Sequence, residues 1–230
     1  MGVVVSSLEI IGEWLRTVVT PTTLGTLNAD ITASATSVVL AAGYTGTLPA
    51  GVWAVKIGSE VFHATQTGDT LTVETGTRGS HGTTAAAHLA GASVTQANFA
   101  SVVGNNVWER GFPQGFIDSP VAATLYHIVG GQPKQLYSAG VGVRSSVRKP
   151  RVLLRCYGGP DSEGNYTDVA TDMVYKLLAA RLEAAPMEAV ASGVVMSVVE
   201  DGEGQILTDP DTQPPWPYIL TFAEMEIRAA

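Results

Sequence analysis

The sequence predicts an α+β protein: a sheet with flanking helices, interrupted by a small all-β insertion. Three observations point there. Apolar residues recur at helical spacing near residue 8 and again beyond residue 168, and strict alternation marks a strand at the C-terminal end. Between residues 22 and 97 the texture changes to Thr, Ala and Gly, with short apolar runs separated by turns. The predicted organisation is therefore a core domain made of residues 1–21 plus 98–230, with a β-module at 22–97 inserted at a surface loop, where insertions are best tolerated.

Each element has its own signal. Ser6-Ser7-Leu8-Glu9 matches a capping box, and Leu8, Ile11, Leu15 and Val18 follow at helical spacing until Pro21, which predicts a helix over about 7–18. The module then shows Val38-Val39-Leu40, Val52 to Ile57, Glu60 to Ala64 and Leu71 to Glu74, with turns at Gly43, Gly51, Gly58 and Gly68 between them. Ala85 to His88 has room for one helical turn at most. Strands are predicted at Val121 to Val129 and at Arg151 to Tyr157. Thr167 caps the clearest helix, with Val169, Met173, Leu177 and Ala180 as its stripe, flanked by Ala170, Val174, Leu178 and Leu182. Asp168 and Asp172 suit its positive end, Arg181 its negative end, and Pro186 lies beyond it. Val194 to Val199 is a strand. In the last strand Ile219, Thr221, Ala223, Met225 and Ile227 share one face, and Glu224, Glu226 and Arg228 the other.

Composition narrows the function. The 230 residues are 45% hydrophobic with a mean hydropathy of +0.19, enough for a real core in one or two domains. Only 15% are charged, which suits β-structure whose surfaces face other protein. The single cysteine, Cys156, excludes a disulfide framework or a multi-Cys metal site, and its apolar neighbours predict a buried side chain. Residues 1–20 carry Glu9 and Glu13 and no basic leader, and no apolar run approaches the ~18 residues of a membrane span. Synthesis in a cytoplasm, without membrane attachment, is the expectation.

The net charge of −8 argues against a protein that grips nucleic acid through phosphates, though not against one that lets DNA pass. Charge is also unevenly placed. Arg144, Arg148, Lys149, Arg151 and Arg155 put five of the 13 basic residues in one short stretch, whereas 13 of the 21 acids lie between Asp161 and Glu226. Such asymmetry fits complementary faces between neighbouring copies, or else a solvated surface.

Chemistry finds little foothold. None of His63, His81, His88 and His127 is i, i+4 from another, and no zinc, nucleophile-elbow or phosphate-loop pattern is present. Gly76, Gly79 and Gly82 read as turns. The acids Glu200, Asp201, Glu203, Asp209 and Asp211 raise calcium binding or glycoside cleavage, but their spacing does not match an EF-hand and solvated loop carboxylates explain them better. No enzyme activity, cofactor or metal is expected.

Two stretches resemble known families. Ala29 to Ser34, Pro49-Ala50-Gly51, Lys56 to Glu60 and the run Gly76-Thr77-Arg78-Gly79-Ser80-His81-Gly82-Thr83-Thr84-Ala85-Ala86-Ala87-His88 resemble a small β-module recurrent in tailed-phage structural proteins. The remainder is similar, in element order and short motifs, to tail terminators and related tail-completion proteins of long-tailed bacteriophages. The motifs are Val107-Trp108-Glu109, Pro113, Leu154-Arg155-Cys156-Tyr157-Gly158, and Asp209-Pro210-Asp211-Thr212 leading through Trp216-Pro217-Tyr218 into the final strand. That resemblance implies a virion structural protein: an α+β subunit of a hexameric ring that caps the tail tube and joins it to the head connector. The implied partners are further copies of the chain, the major tail tube protein and a connector or stopper protein, with DNA passing through unbound.

On this reading Arg144, Arg148, Lys149, Arg151, Trp216 and Tyr218 are candidates for the subunit interface, and Glu200, Asp201, Glu203, Asp209 and Asp211 for the acidic lumen. Two other readings stay open: a head–tail stopper or minor tail protein, and a carbohydrate-binding module using Trp53 and Tyr44. Against the latter, a sugar platform needs several exposed aromatics, and aromatics are 7% of the chain.

Overall fold

The computed structural model describes residues 6–17, 19–109, 121–129, 134–137, 144–161, 163–184, 187–200, 204–210 and 215–229. It is an α+β protein built on two sheets. The expected positions Val18, Pro113 and Pro186 lie outside the described residues.

Helix α1 (Ser7–Arg16) starts where Ser6 accepts a bond from the Glu9 backbone N–H at 3.0 Å. It buries Leu8, Ile10, Ile11, Trp14 and Leu15. Strands β1 (Thr23–Thr26), β2 (Ser37–Val39), β3 (Trp53–Ile57), β4 (Glu60–Thr67), β5 (Thr70–Val73) and β6 (Ser93–Gln96) form one antiparallel sheet in the order β1-β6-β3-β4-β5-β2. Its two edges meet. Leu27 bridges Leu40, flanked by bonds from Asn28 N to Val39 O and from Ala41 N to Thr26 O, so the sheet closes into a barrel. Leu24, Leu27, Val38, Leu40, Val55, Ile57, Phe62, Leu71 and Val94 fill it. Gln96 donates to Thr22 O at 2.8 Å, which brings the two ends of the segment together.

The run Gly76 to His88 packs a buried ion pair against the barrel. Glu60 is wholly buried, and Arg78 grips it through Nε at 2.5 Å and Nη2 at 2.9 Å. The other Arg78 N–H groups go to Thr32 O, Ala35 O and Ala86 O, so all five donors are matched, and the guanidinium lies over the Phe62 ring. His88 reaches the same carboxylate at 2.7 Å. Burial alone would raise the Glu60 pKa, yet the bonds from Arg78 and His88 hold it below the ordinary carboxylate value.

After α2 (Phe99–Val103), capped by Asn98, come β7 (Val107–Glu109), β8 (Val121–Val129), β9 (Lys134–Tyr137), β10 (Arg144–Arg148) and β11 (Arg151–Gly158). Then follow α3 (Asp168–Glu183), β12 (Glu188–Val190), β13 (Gly193–Glu200), β14 (Gln205–Asp209) and β15 (Trp216–Ala229). Among the described residues β7 to β15 make a nine-stranded sheet. Strand β15, 14 residues long, is its spine. One flank pairs with β14 and then β13; the other pairs with β11 and then β10. β8 pairs with β11, and β9 with β10, so these two also run along one line.

All three helices share one core with one face of this sheet: Val152, Leu154 and Cys156 of β11, Val195 of β13, and Ala223, Met225 and Ile227 of β15. The alternation predicted for the last strand is the one observed. Helix α3 differs in detail: Ala170, Met173, Val174, Leu177, Leu178 and Leu182 are buried, but Val169 is 60% exposed. The apolar face is thus centred on 170, 174, 177 and 181, and Val169, in the first turn, points off it. Arg181 takes a buried place in that stripe, its guanidinium 4.4 Å from the centre of the Trp14 ring and bonded to Glu188 and to Trp14 O.

The barrel and this core are not separately packed. Ala54 of β3 and Val61 of β4 point outward from the barrel into the helix core. Strands covered on both faces lose the buried/exposed alternation of a half-buried strand, and Glu60 to Ala64 is buried at every position.

Candidate assembly interface

The sheet face turned away from the helices is the candidate functional surface. Along β11, Arg151, Leu153 and Arg155 point to it; along β15, Tyr218, Leu220, Phe222 and Glu224 do. Their register stacks cations on rings: the Arg151 guanidinium lies 5.4 Å from the Phe222 ring centre and that of Arg155 5.2 Å from Tyr218. Leu153, Leu220 and Phe222 are half-buried, Glu224 is exposed, and Val199 beside it is 63% exposed. Among the described residues no helix covers this face. Arginine, tyrosine and phenylalanine around aliphatics are the side chains enriched in protein–protein contacts.

One end of the face is closed by an aromatic cluster. Tyr157 and Trp216 are buried, Tyr166 stacks on Trp216 at 5.2 Å, and Tyr218 lies 5.6 Å from Tyr157. Tyr157 donates to Asp209 at 2.8 Å; burial, then that carboxylate, push its pKa up.

The expected interface residues fall into three groups. Arg151 and Tyr218 belong to the half-buried Arg–aromatic array. Trp216 is 6% exposed and packed inside the chain, so it presents no anchor to a neighbour. Lys149 is exposed and pairs with Glu226 at 3.3 Å, while Arg144 and Arg148 are placed on β10 by their backbone register alone. Of the expected lumen acids, Asp201, Glu203 and Asp211 lie outside the described residues. The other two are engaged internally. Asp209 is 6% exposed, and Glu200 accepts bonds from Tyr175 at 2.7 Å and Thr221 at 2.8 Å beneath α3. Cys156 is fully buried, and burial pushes its thiol pKa up. Among the described residues no group of three or more His, Cys, Asp or Glu side chains is placed to hold a metal ion, and no helix is long and apolar enough to cross a membrane.

Arg155, Leu153 and Phe222 are what sequence reading missed. The signal was there, as the alternation of Arg151, Leu153, Arg155 and Tyr157, but the basic residues read as a charge cluster and not as one face of a strand.

Among the described residues two strand edges beside the face have no further strand paired to them. Among the described strands β14 pairs with β15 alone, and it carries the uncharged run Gln205-Ile206-Leu207-Thr208, with Ile206 40% exposed. On the opposite flank, again among the described strands, β9 pairs with β10 alone, and Lys134, Arg144 and Arg148 belong to these two strands. Edges that proteins keep to themselves are usually blunted with charge or proline; β14 is not.

No family model, curated protein or solved structure matches the chain.

Proposed function

We propose that the protein is a structural subunit of a phage virion, a tail terminator that closes into a ring at the head-proximal end of the tail. The observation that carries the reading is the helix-free sheet face with its Arg151–Phe222 and Arg155–Tyr218 stacks. Stacked Arg–aromatic pairs beside half-buried aliphatics are the kind of surface a neighbouring copy would cover. The two strand edges support the same reading. β14 is followed and preceded by acids, β9 and β10 carry bases, and they lie on opposite flanks, the arrangement a head-to-tail contact needs. In this reading the basic stretch 144–155 contacts protein, and the net charge of −8 per copy keeps DNA from adhering.

The test is Arg148→Glu with Lys149→Glu in one chain. Assembly mass should fall to smaller species, while duplex DNA binding stays negligible in wild type and variant at low and physiological salt. Wild-type DNA binding that collapses with salt and disappears in the variant would instead make the cluster a phosphate-binding patch.

A further inference from the structure

Barrel and core meet at a histidine pair that the assembly reading does not use. His63 of β4 points out of the barrel, and His81 stands in the turn that follows Arg78; they are 1% and 5% exposed. Their Nε2 atoms are 2.8 Å apart, and His81 Nδ1 is 2.6 Å from the carbonyl oxygen of Gly158, at the end of β11. One residue further on, Gly82 N donates to Pro160 O at 3.1 Å. His81 has a φ of 59°, a left-handed conformation uncommon outside glycine, so the turn is shaped to bring this ring to the core.

The hydrogen bonds fix both tautomers. A carbonyl only accepts, so His81 Nδ1 carries the proton, and the neutral ring has a bare Nε2. His63 Nε2 must then donate to it, which leaves His63 Nδ1 bare, and that atom is buried without a hydrogen-bond partner. A first added proton has a place at His63 Nδ1 and puts a charge in the seam without breaking either bond. A second sets two Nε2–H groups against each other, and the contact is lost.

We propose that His63 and His81 form a proton-operated latch, which fastens the 77–83 turn to Gly158 when both are neutral and frees it when both are charged. Burial holds His63 at about 3, helped by His81 and Lys176, and burial holds His81 at about 4 against the opposing bond to Gly158. Among the described residues Asp161 lines the same pocket beside Thr167 and Ala170, and Lys176 is itself paired with Asp172 at 3.1 Å. Both histidines titrate near 6.5 when free. The open form therefore binds more protons between about pH 6.5 and pH 4, and opening becomes easier as pH falls through that window. With two protons taken up, the opening constant rises about 100-fold per pH unit in its steep part. The latch thus responds to mild acid, well above the pH at which the closed pair itself would titrate.

Two measurements on the full chain test this. Long-range proton–nitrogen NMR at pH 7 should show His63 protonated at Nε2 only and His81 at Nδ1 only; the reverse assignment, or ordinary titration of either ring near 6.5 in the closed form, overturns the latch. Hydrogen exchange of the 78–84 and 158–166 segments, corrected for intrinsic rates, should show opening that steepens toward 100-fold per pH unit below pH 6.5, while 55–57 inside the barrel stays flat. His81→Asn keeps a donor and an acceptor and tolerates the left-handed turn; it should reduce the slope to about tenfold per unit. A wild-type slope of zero, or the same slope in His81→Asn, refutes the proposal.

Discussion

Residue by residue, the buried charges are the parts whose removal is most informative. Arg78 and Glu60 satisfy each other against the barrel, so losing one strands the other. Glu60→Gln should destabilise the protein by about 3–5 kcal/mol in denaturant unfolding, whereas Glu183→Gln, at an exposed position, should change it by about 0.5 kcal/mol or less. Acid acts on the same pair. Because the folded pKa of Glu60 lies below its ordinary value, its contribution is fully present above that value and is lost as pH falls through the folded one. The Arg78, Glu60 and His88 constellation was visible in the sequence only as a motif of unknown purpose. Residues separated by 18 and 28 positions meet against the barrel, which no local pattern reveals.

At the level of elements, what periodicity could settle, it settled. Helix α3 and the two faces of β15 were legible because one side of each is buried and the other is wet. Short pieces such as β7, β12 and α2 were not, since three to five residues carry no period. The centre of α3's apolar face was read one position too early, at Val169, because a valine counts as apolar wherever it points. On the corrected face, Leu177→Ala should cost roughly 2–5 kcal/mol, and Lys176→Ala on the far side about 0.5 kcal/mol or less. The turn after Arg78 offers a sharper contrast. Gly79 has a φ of +70°, and a Cβ there would sit 2.5 Å from the Ala85 backbone nitrogen. Gly79→Ala should therefore lower the unfolding midpoint, by more than the ~1 kcal/mol that a strained backbone alone costs, since backbone must also move.

For the whole molecule, the barrel sits between two loop ends that touch, yet lends Ala54 and Val61 to the core it interrupts. That shared packing was not legible in the sequence, because outward residues on a doubly buried strand look like any buried stretch. By contrast, one sheet face and two strand edges are covered by no other element among the described residues. Whether copies of the chain meet there is read by native mass spectrometry with negative-stain imaging of the purified protein, alone and mixed with tail tube protein. A closed ring of identical copies is expected, alone or at the end of tubes. A monomer under both conditions, with tubes left uncapped, would contradict ring assembly.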